Sequence, residues 1–260
     1  MMMKVHFMDN NEIILLILSA FLTSSISAVL GMGGGIILLG IMALIIPEGY
    51  KVIALHGMVQ LFSNTTRAYI FKKHVKKSLV TQFFIGALIG VLISVCIILI
   101  LITYFDVNNA SQIKIEFLKP MIGIFIVWNL FLKSPKKEKN INTFIPVGLI
   151  AGVSSIFIGA VGPLIAPFFL SKNLNKENII ANKAASQMIT HFTKIPLFIY
   201  FFNMSYSTEF KTILPLIFAV YIGTNFGKKI LTFIPELLFK KIFKITLLII
   251  AMRLILINLK

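Results

Sequence analysis

The stretch Ile53-Ala54-Leu55-His56-Gly57-Met58-Val59-Gln60 and the stretch Ile180-Ala181-Asn182-Lys183-Ala184-Ala185-Ser186-Gln187 read as two copies of one element. In the same register Asn64 falls opposite His191 and Arg67 opposite Lys194. Each copy lies in a long, largely apolar segment, Lys51 to Phe71 and Lys176 to Phe202, and each follows a glycine break. Gly31-Met32-Gly33-Gly34-Gly35 precedes the first; Gly159-Ala160-Val161-Gly162-Pro163 precedes the second. Gly31 aligns with Gly159, one residue out of the register of the polar positions. Several matches in one order indicate an internal duplication, which is common in secondary transporters.

The composition says which solvent these segments meet. Of 260 residues, 58% are hydrophobic and 13% charged, against roughly 25% charged in soluble domains. So few polar groups cannot cover a soluble chain of this size. The net charge of +16 does not indicate a nucleic-acid partner. Its lysines sit in short runs between apolar stretches: Lys72, Lys73, Lys76 and Lys77; Lys133, Lys136, Lys137 and Lys139; Lys228, Lys229, Lys240, Lys241 and Lys244. That is how cytoplasmic loops orient a membrane protein. The single cysteine, Cys96, lies within an apolar run and excludes a disulfide framework; it reads as an inert core residue. Residues 1–12 lack the basic start of a signal peptide, so the first apolar stretch is expected to stay as a helix.

A membrane helix needs about 20 apolar residues. Segments are expected at Ile13–Leu30, Ile36–Ile46, Lys51–Phe71, Ser78–Phe105, Pro120–Leu132, Phe144–Ile158, a short run to Leu170, Lys176–Phe202, Phe210–Phe226 and Leu237–Leu259. The fold class is therefore an all-α polytopic membrane protein of about 8–10 helical segments. It forms a single membrane domain: one repeat at about 11–132, a polar linker at 133–142, and a second repeat at about 143–260. Phe71 runs into a basic loop, whereas its counterpart Phe202 precedes Asn203–Glu209, which has no basic residue. The same element then crosses in opposite directions, so the repeats are inverted and both termini lie outside the cell membrane.

Positions 56, 60, 64 and 67 fall within roughly an 80° arc of one helix, as do Lys183, Gln187, His191 and Lys194. Interhelical hydrogen bonding is the plainer reading for Gln60, Gln187 and Asn64. The cations need more, because a Lys or Arg at mid-membrane costs about 2.5–3.5 kcal/mol on insertion scales. Arg67 has a second explanation in snorkelling towards the nearby basic loop. Every acid, from Asp9 to Glu236, lies in a loop or at a segment end, so the interior cations have no carboxylate partner. A small anionic substrate fills that role. The glycine breaks fit it too: Gly33, Gly34, Gly35 and Gly162 would bring backbone N–H groups and the positive ends of short helices to the same space. Close packing through small residues is the competing reading of those glycines.

Gly31–Gly35, then His56-Gly57 through Ser63-Asn64-Thr65-Thr66-Arg67-Ala68, with a second glycine-rich break in the other half, resemble the sulfite exporter TauE/SafE family. The resemblance implies an integral membrane transporter for sulfite, sulfonates or related organosulfur anions. The second half departs at Gly162-Pro163, where a Gly-Gly element is more usual, although proline suits the first turn of a helix.

The expected function is secondary transport of such anions by alternating access, with no cofactor, no metal site and no nucleic-acid partner. H⁺ or Na⁺ remain open as coupling ions, as do oligomeric state and direction. A passive anion channel is the nearest alternative, and an integral-membrane enzyme using His56 and His191 a more distant one. The substrate-binding candidates are Gly33, Gly34, Gly35, His56, Gln60, Asn64, Arg67, Gly162, Lys183, Gln187, His191 and Lys194.

Overall fold

A computed structural model describes residues 9–30, 33–113, 144–170 and 176–230, with Leu174 and scattered later positions. Those residues form α1 (Asn10–Leu30), α2 (Gly34–Ile45), α3 (Gly49–Ile70), α4 (Lys77–Tyr104), α5 (Ile145–Phe157), α6 (Gly162–Leu170), α7 (Lys176–Phe202) and α8 (Phe210–Ile230). Short 3-10 turns stand at Lys72–His74 and Ala110–Gln112, and there is no strand among the described residues. The expected segments Pro120–Leu132 and Leu237–Leu259, the linker 133–142, and Gly31-Met32 lie outside the described residues, apart from scattered positions in the two segments.

Local chemistry sets several boundaries. Asp9 and Glu12 form a reciprocal cap on α1: each backbone N–H donates to the other's carboxylate, at 3.0 and 2.7 Å. α2 stops before Pro47, and Ile46, the residue preceding that proline, is extended at φ −89°, ψ 121°. Gly33, at φ 101°, turns the chain into α2 with no side chain capping its first N–H groups. Gly159 takes the equivalent left-handed turn, φ 89°, ahead of α6.

Helices α1, α4 and α8 are long and apolar enough to cross a membrane. At about 1.5 Å per residue, α4 exceeds a bilayer core of about 30 Å. It buries one stripe, Gly86, Ala87, Gly90, Val91, Ser94 and Ile98. It exposes another, including Leu92, Ile93, Leu99 and Ile100. Cys96 belongs to the exposed side, which corrects its assignment to the core. Hydropathy does not separate the two faces of a helix whose solvent is lipid.

Small residues let the backbones approach. Gly86 and Gly90 of α4 face the α5 backbone at Ile145 and Leu149, and Gly148 and Gly152 of α5 face Phe83 and Ala87. A methyl group at any of the four would overlap main chain. Gly223 and Gly227 of α8 pack in the same way on Phe21 and Ser25 of α1. These are small-xxx-small contacts, which replace the missing hydrophobic drive between helices in lipid.

The packing is reciprocal between the halves. α4 packs on α5 and α8 on α1, while α3 packs on α7. Exchanging α1–α4 with α5–α8 turns the first pair into the second and the third into itself. α3 and α7 run antiparallel. Tyr50 stacks on Phe202 at one end, His56 lies against His191 further along, and His74, just past α3, reaches Asn178 and Asn182 near the start of α7.

Candidate functional site

The polar stripes of α3 and α7 face inward. His56, Gln60, Asn64, Arg67, Lys183, His191 and Lys194 are all buried, Arg67 at 3% and Lys194 at 0% exposure. Between the two helices and the two glycine breaks lies a narrow pocket, about 320 Å³ of space with the open solvent at its mouth included. Gly33, Gly35, His56, Gln60, Arg67, Gly162, Lys183, Gln187 and His191 line it, joined by Ser27, Ile36 and Ala160. No carboxylate lines it among the described residues.

The glycines divide by role. A methyl at Gly35 would press on Gln60, and a methyl at Gly162 would press on Gln187. Each short helix therefore starts against the glutamine of its own half. Gly35 stands as far ahead of Gln60 as Gly162 does of Gln187, so these glycines, rather than Gly31 and Gly159, share the register of the stripes. The Gly162-Pro163 departure does not disturb that equivalence. Gly34 turns away from the pocket, and a methyl there would overlap the Thr23 carbonyl of α1.

Arg67 and Lys194 are held by carbonyl and hydroxyl oxygens. Arg67 donates from Nη1 to the Ser27 carbonyl at 3.3 Å, and from Nη2 to Ser63 Oγ at 3.3 Å and Asn64 Oδ1 at 3.1 Å. Its Nε is buried without a hydrogen-bond partner among the described residues. Asn64 is absent from the pocket wall; it donates to the Gln60 carbonyl at 2.9 Å and steadies the guanidinium. Lys194 also stands off the wall. Its ammonium points to the carbonyls of Ser155 and Gly159, at 3.5 and 3.4 Å, and its stem covers Gly57.

Ser27 and Ser155 belong to the last turns of α1 and α5, where the helix dipole presents negative charge. Arg67 and Lys194 thus answer the C-terminal ends of the helices that precede the two breaks, a stabilisation that a search for carboxylates misses. Lys183, with Arg67, is the cation that reaches the pocket wall.

His56 and His191 meet edge to face, with ring centroids 5.9 Å apart. His56 Nε2 lies 2.8 Å from the Gly35 carbonyl. A carbonyl only accepts, so Nε2 carries the hydrogen.

Two contacts fasten α3 to α7 beyond the pocket. At one end Lys51 pairs with Glu209 at 2.7 Å. At the other, Asn182 Oδ1 accepts the Lys76 backbone N–H at 2.7 Å, and the amides of Asn178 and Asn182 donate to the His74 carbonyl. In both cases a residue near the start of one helix holds the loop that follows the other.

Sequence reasoning missed Ser27, Asn182 and a hydroxyl relay behind Arg67. Ser24 Oγ bonds Thr224 Oγ1 at 2.6 Å and Ser63 Oγ at 3.3 Å, and it donates to the Val220 carbonyl at 2.8 Å. The signal was present in α1, where buried Ser19, Thr23 and Ser27 recur at helical spacing.

Apolar, outward-facing helices around a buried polar pocket define a polytopic membrane protein. Its family is equally plain. The family model for the sulfite exporter TauE/SafE matches residues 16–254, and the chain belongs to that family of membrane transporters. No curated protein and no solved structure matches the chain.

Proposed function

We propose that this protein is a secondary transporter for small anions, sulfite, sulfonates or related organosulfur anions, in the cytoplasmic membrane. The observation that carries the reading is the shared placement of Arg67 and Lys183, both buried, on antiparallel helices and lining one pocket, where no carboxylate stands among the described residues. An oxyanion between them replaces its hydration shell with charge-assisted hydrogen bonds. Gln60, Gln187 and the first N–H groups of α2 and α6 supply further donors. Asn64 positions Arg67, while Lys194 and Gly34 support the walls. Neither histidine serves as a catalyst.

The antiparallel course of α3 and α7 supports two inverted repeats, with the loop at Lys72–Lys77 cytoplasmic and Asn203–Glu209 external. Both termini are then external. Alternating access follows as rocking of one repeat against the other about the pocket, releasing the Lys51–Glu209 contact and the Asn182 contact in turn.

Proteoliposomes carrying the purified protein test this with sulfite, sulfate, sulfoacetate, taurine and acetate. Transport of a sulfur oxyanion, with counterflow of labelled anion against its own gradient, is the expected result. Flux that only ever runs downhill identifies a passive channel instead, and flux of none of the anions removes the proposal.

A further inference from the structure

We infer that the pocket binds one proton together with each anion, and that the proton sits on Nδ1 of His56. The inference rests on the anion-site reading above and names a second ligand of the same site.

The Gly35 carbonyl fixes the Nε2–H tautomer of His56, so Nδ1 of the neutral ring presents a lone pair. That nitrogen is buried and has no hydrogen-bond partner among the described residues, on a side chain only 1% exposed that lines the pocket. A buried acceptor left unmatched is costly, because the hydration it gave up is not replaced. A proton from solvent bonds to that lone pair, while the Nε2–H bond to Gly35 is kept. The acceptor becomes a second donor, able to hydrogen-bond an anion oxygen. His191 also has a buried Nδ1 without a partner among the described residues, and none of those residues makes a comparable contact that fixes its tautomer.

The charged groups around His56 make this proton conditional. From α7 it faces His191 and Lys194; from its own helix and across the pocket come Arg67 and Lys183. The backbone presents two carbonyls to the ring, Gly35 of α2 and Gly159 of the second glycine break, and no carboxylate lines the space among the described residues. A proton arriving alone would add positive charge to a cationic site. An anion reverses that balance, and by linkage each ligand tightens the other. The proton-loaded site binds anion better, so affinity falls as pH rises.

Titration calorimetry on the purified full-length protein tests this with methanesulfonate and sulfoacetate at pH 6–8, in buffers of different ionisation enthalpy. Sulfonate groups stay ionised throughout, so any proton taken up belongs to the protein. The expected result is about one proton per bound anion and affinity falling by up to about tenfold per pH unit. His56→Gln keeps an amide donor for Gly35 and removes the titrating nitrogen; its anion binding becomes independent of pH. Uptake that survives in His56→Gln but is lost in His191→Gln overturns the assignment. Wild-type binding without proton uptake overturns the inference while leaving the anion site standing. Binding of neither sulfonate overturns both. The wild-type titration decides whether the proton exists, whatever the folding of the variants.

Discussion

Lys51 and Glu209 form an ion pair at 2.7 Å that bridges the start of α3 and the segment between α7 and α8, both side chains mostly shielded from solvent. It closes one end of the helix pair that carries the pocket, beside the stacked rings of Tyr50 and Phe202. An exposed pair is worth about 0–1 kcal/mol, and shielding raises the cost of removing one partner. Glu209→Gln should therefore open the external side. A thiol placed at Ala160 on the pocket wall should react about fivefold faster with a membrane-impermeant reagent from outside, equivalent to about 1 kcal/mol. The double exchange Lys51→Glu with Glu209→Lys should restore the slow rate. Equal rates in wild type and Glu209→Gln would show that the pair does not gate access.

Asn182 holds the opposite end, with its amide wholly buried. Asn182→Ala leaves the Lys76 N–H and the His74 carbonyl with fewer partners, at a cost of about 1–3 kcal/mol for a buried group left unmatched. Thermal unfolding in detergent should begin several degrees lower, and the same thiol at Ala160 should become more reactive from the cytoplasmic side. Unchanged melting and labelling would remove this contact as a fastening.

The glycine seam predicts a defect of folding, away from the pocket. Gly148→Ala directs a methyl into the Phe83 carbonyl. Main chain cannot step aside as a flexible side chain can, so the α4–α5 contact must separate, at about 1–3 kcal/mol. The variant should elute with more aggregate and melt earlier, while its folded fraction keeps wild-type anion affinity. Wild-type melting would mean that the seam tolerates a wider spacing.

The proposed inverted repeats would place Ser78 and Ser205 on opposite faces of the membrane. Both are exposed, so single cysteines there, in a Cys96→Ser background, can be labelled in intact cells. Ser205→Cys should react with an impermeant maleimide from outside, and Ser78→Cys only after permeabilisation. Labelling of both from one side would end the inverted assignment.

Segment limits were legible because breaks in this chain have local causes. α7 spans Lys176–Phe202 and α2 ends just before Pro47, as glycine, proline and loop polarity require. α8 runs four residues past the expected Phe226, to Ile230, because Gly227 packs on α1 and carries the helix onward. The stripes were legible as well, but not the work of each residue within them. An arc of roughly 80° places Lys183 and Lys194 on one face without saying which meets the pocket and which meets the α5 carbonyls. The antiparallel partner settles that. It brings His56 to His191 and stands Lys194 over Gly57, pairings that an alignment of like with like does not suggest. Cys96 shows the same limit on α4, where both faces are apolar.

The most direct measurement is anion binding by Lys183→Met and Arg67→Met, read by calorimetry with the anion that wild type transports best. Arg67→Lys serves as a control that keeps the charge should the methionine variant fold poorly. An anion held between these cations predicts at least about a tenfold weaker Kd in each methionine variant, a loss of about 1.4 kcal/mol. Lys194→Met, whose ammonium points to Ser155 and Gly159, should lose less affinity and more thermal stability. Wild-type affinity in folded Lys183→Met and Arg67→Met would contradict the site.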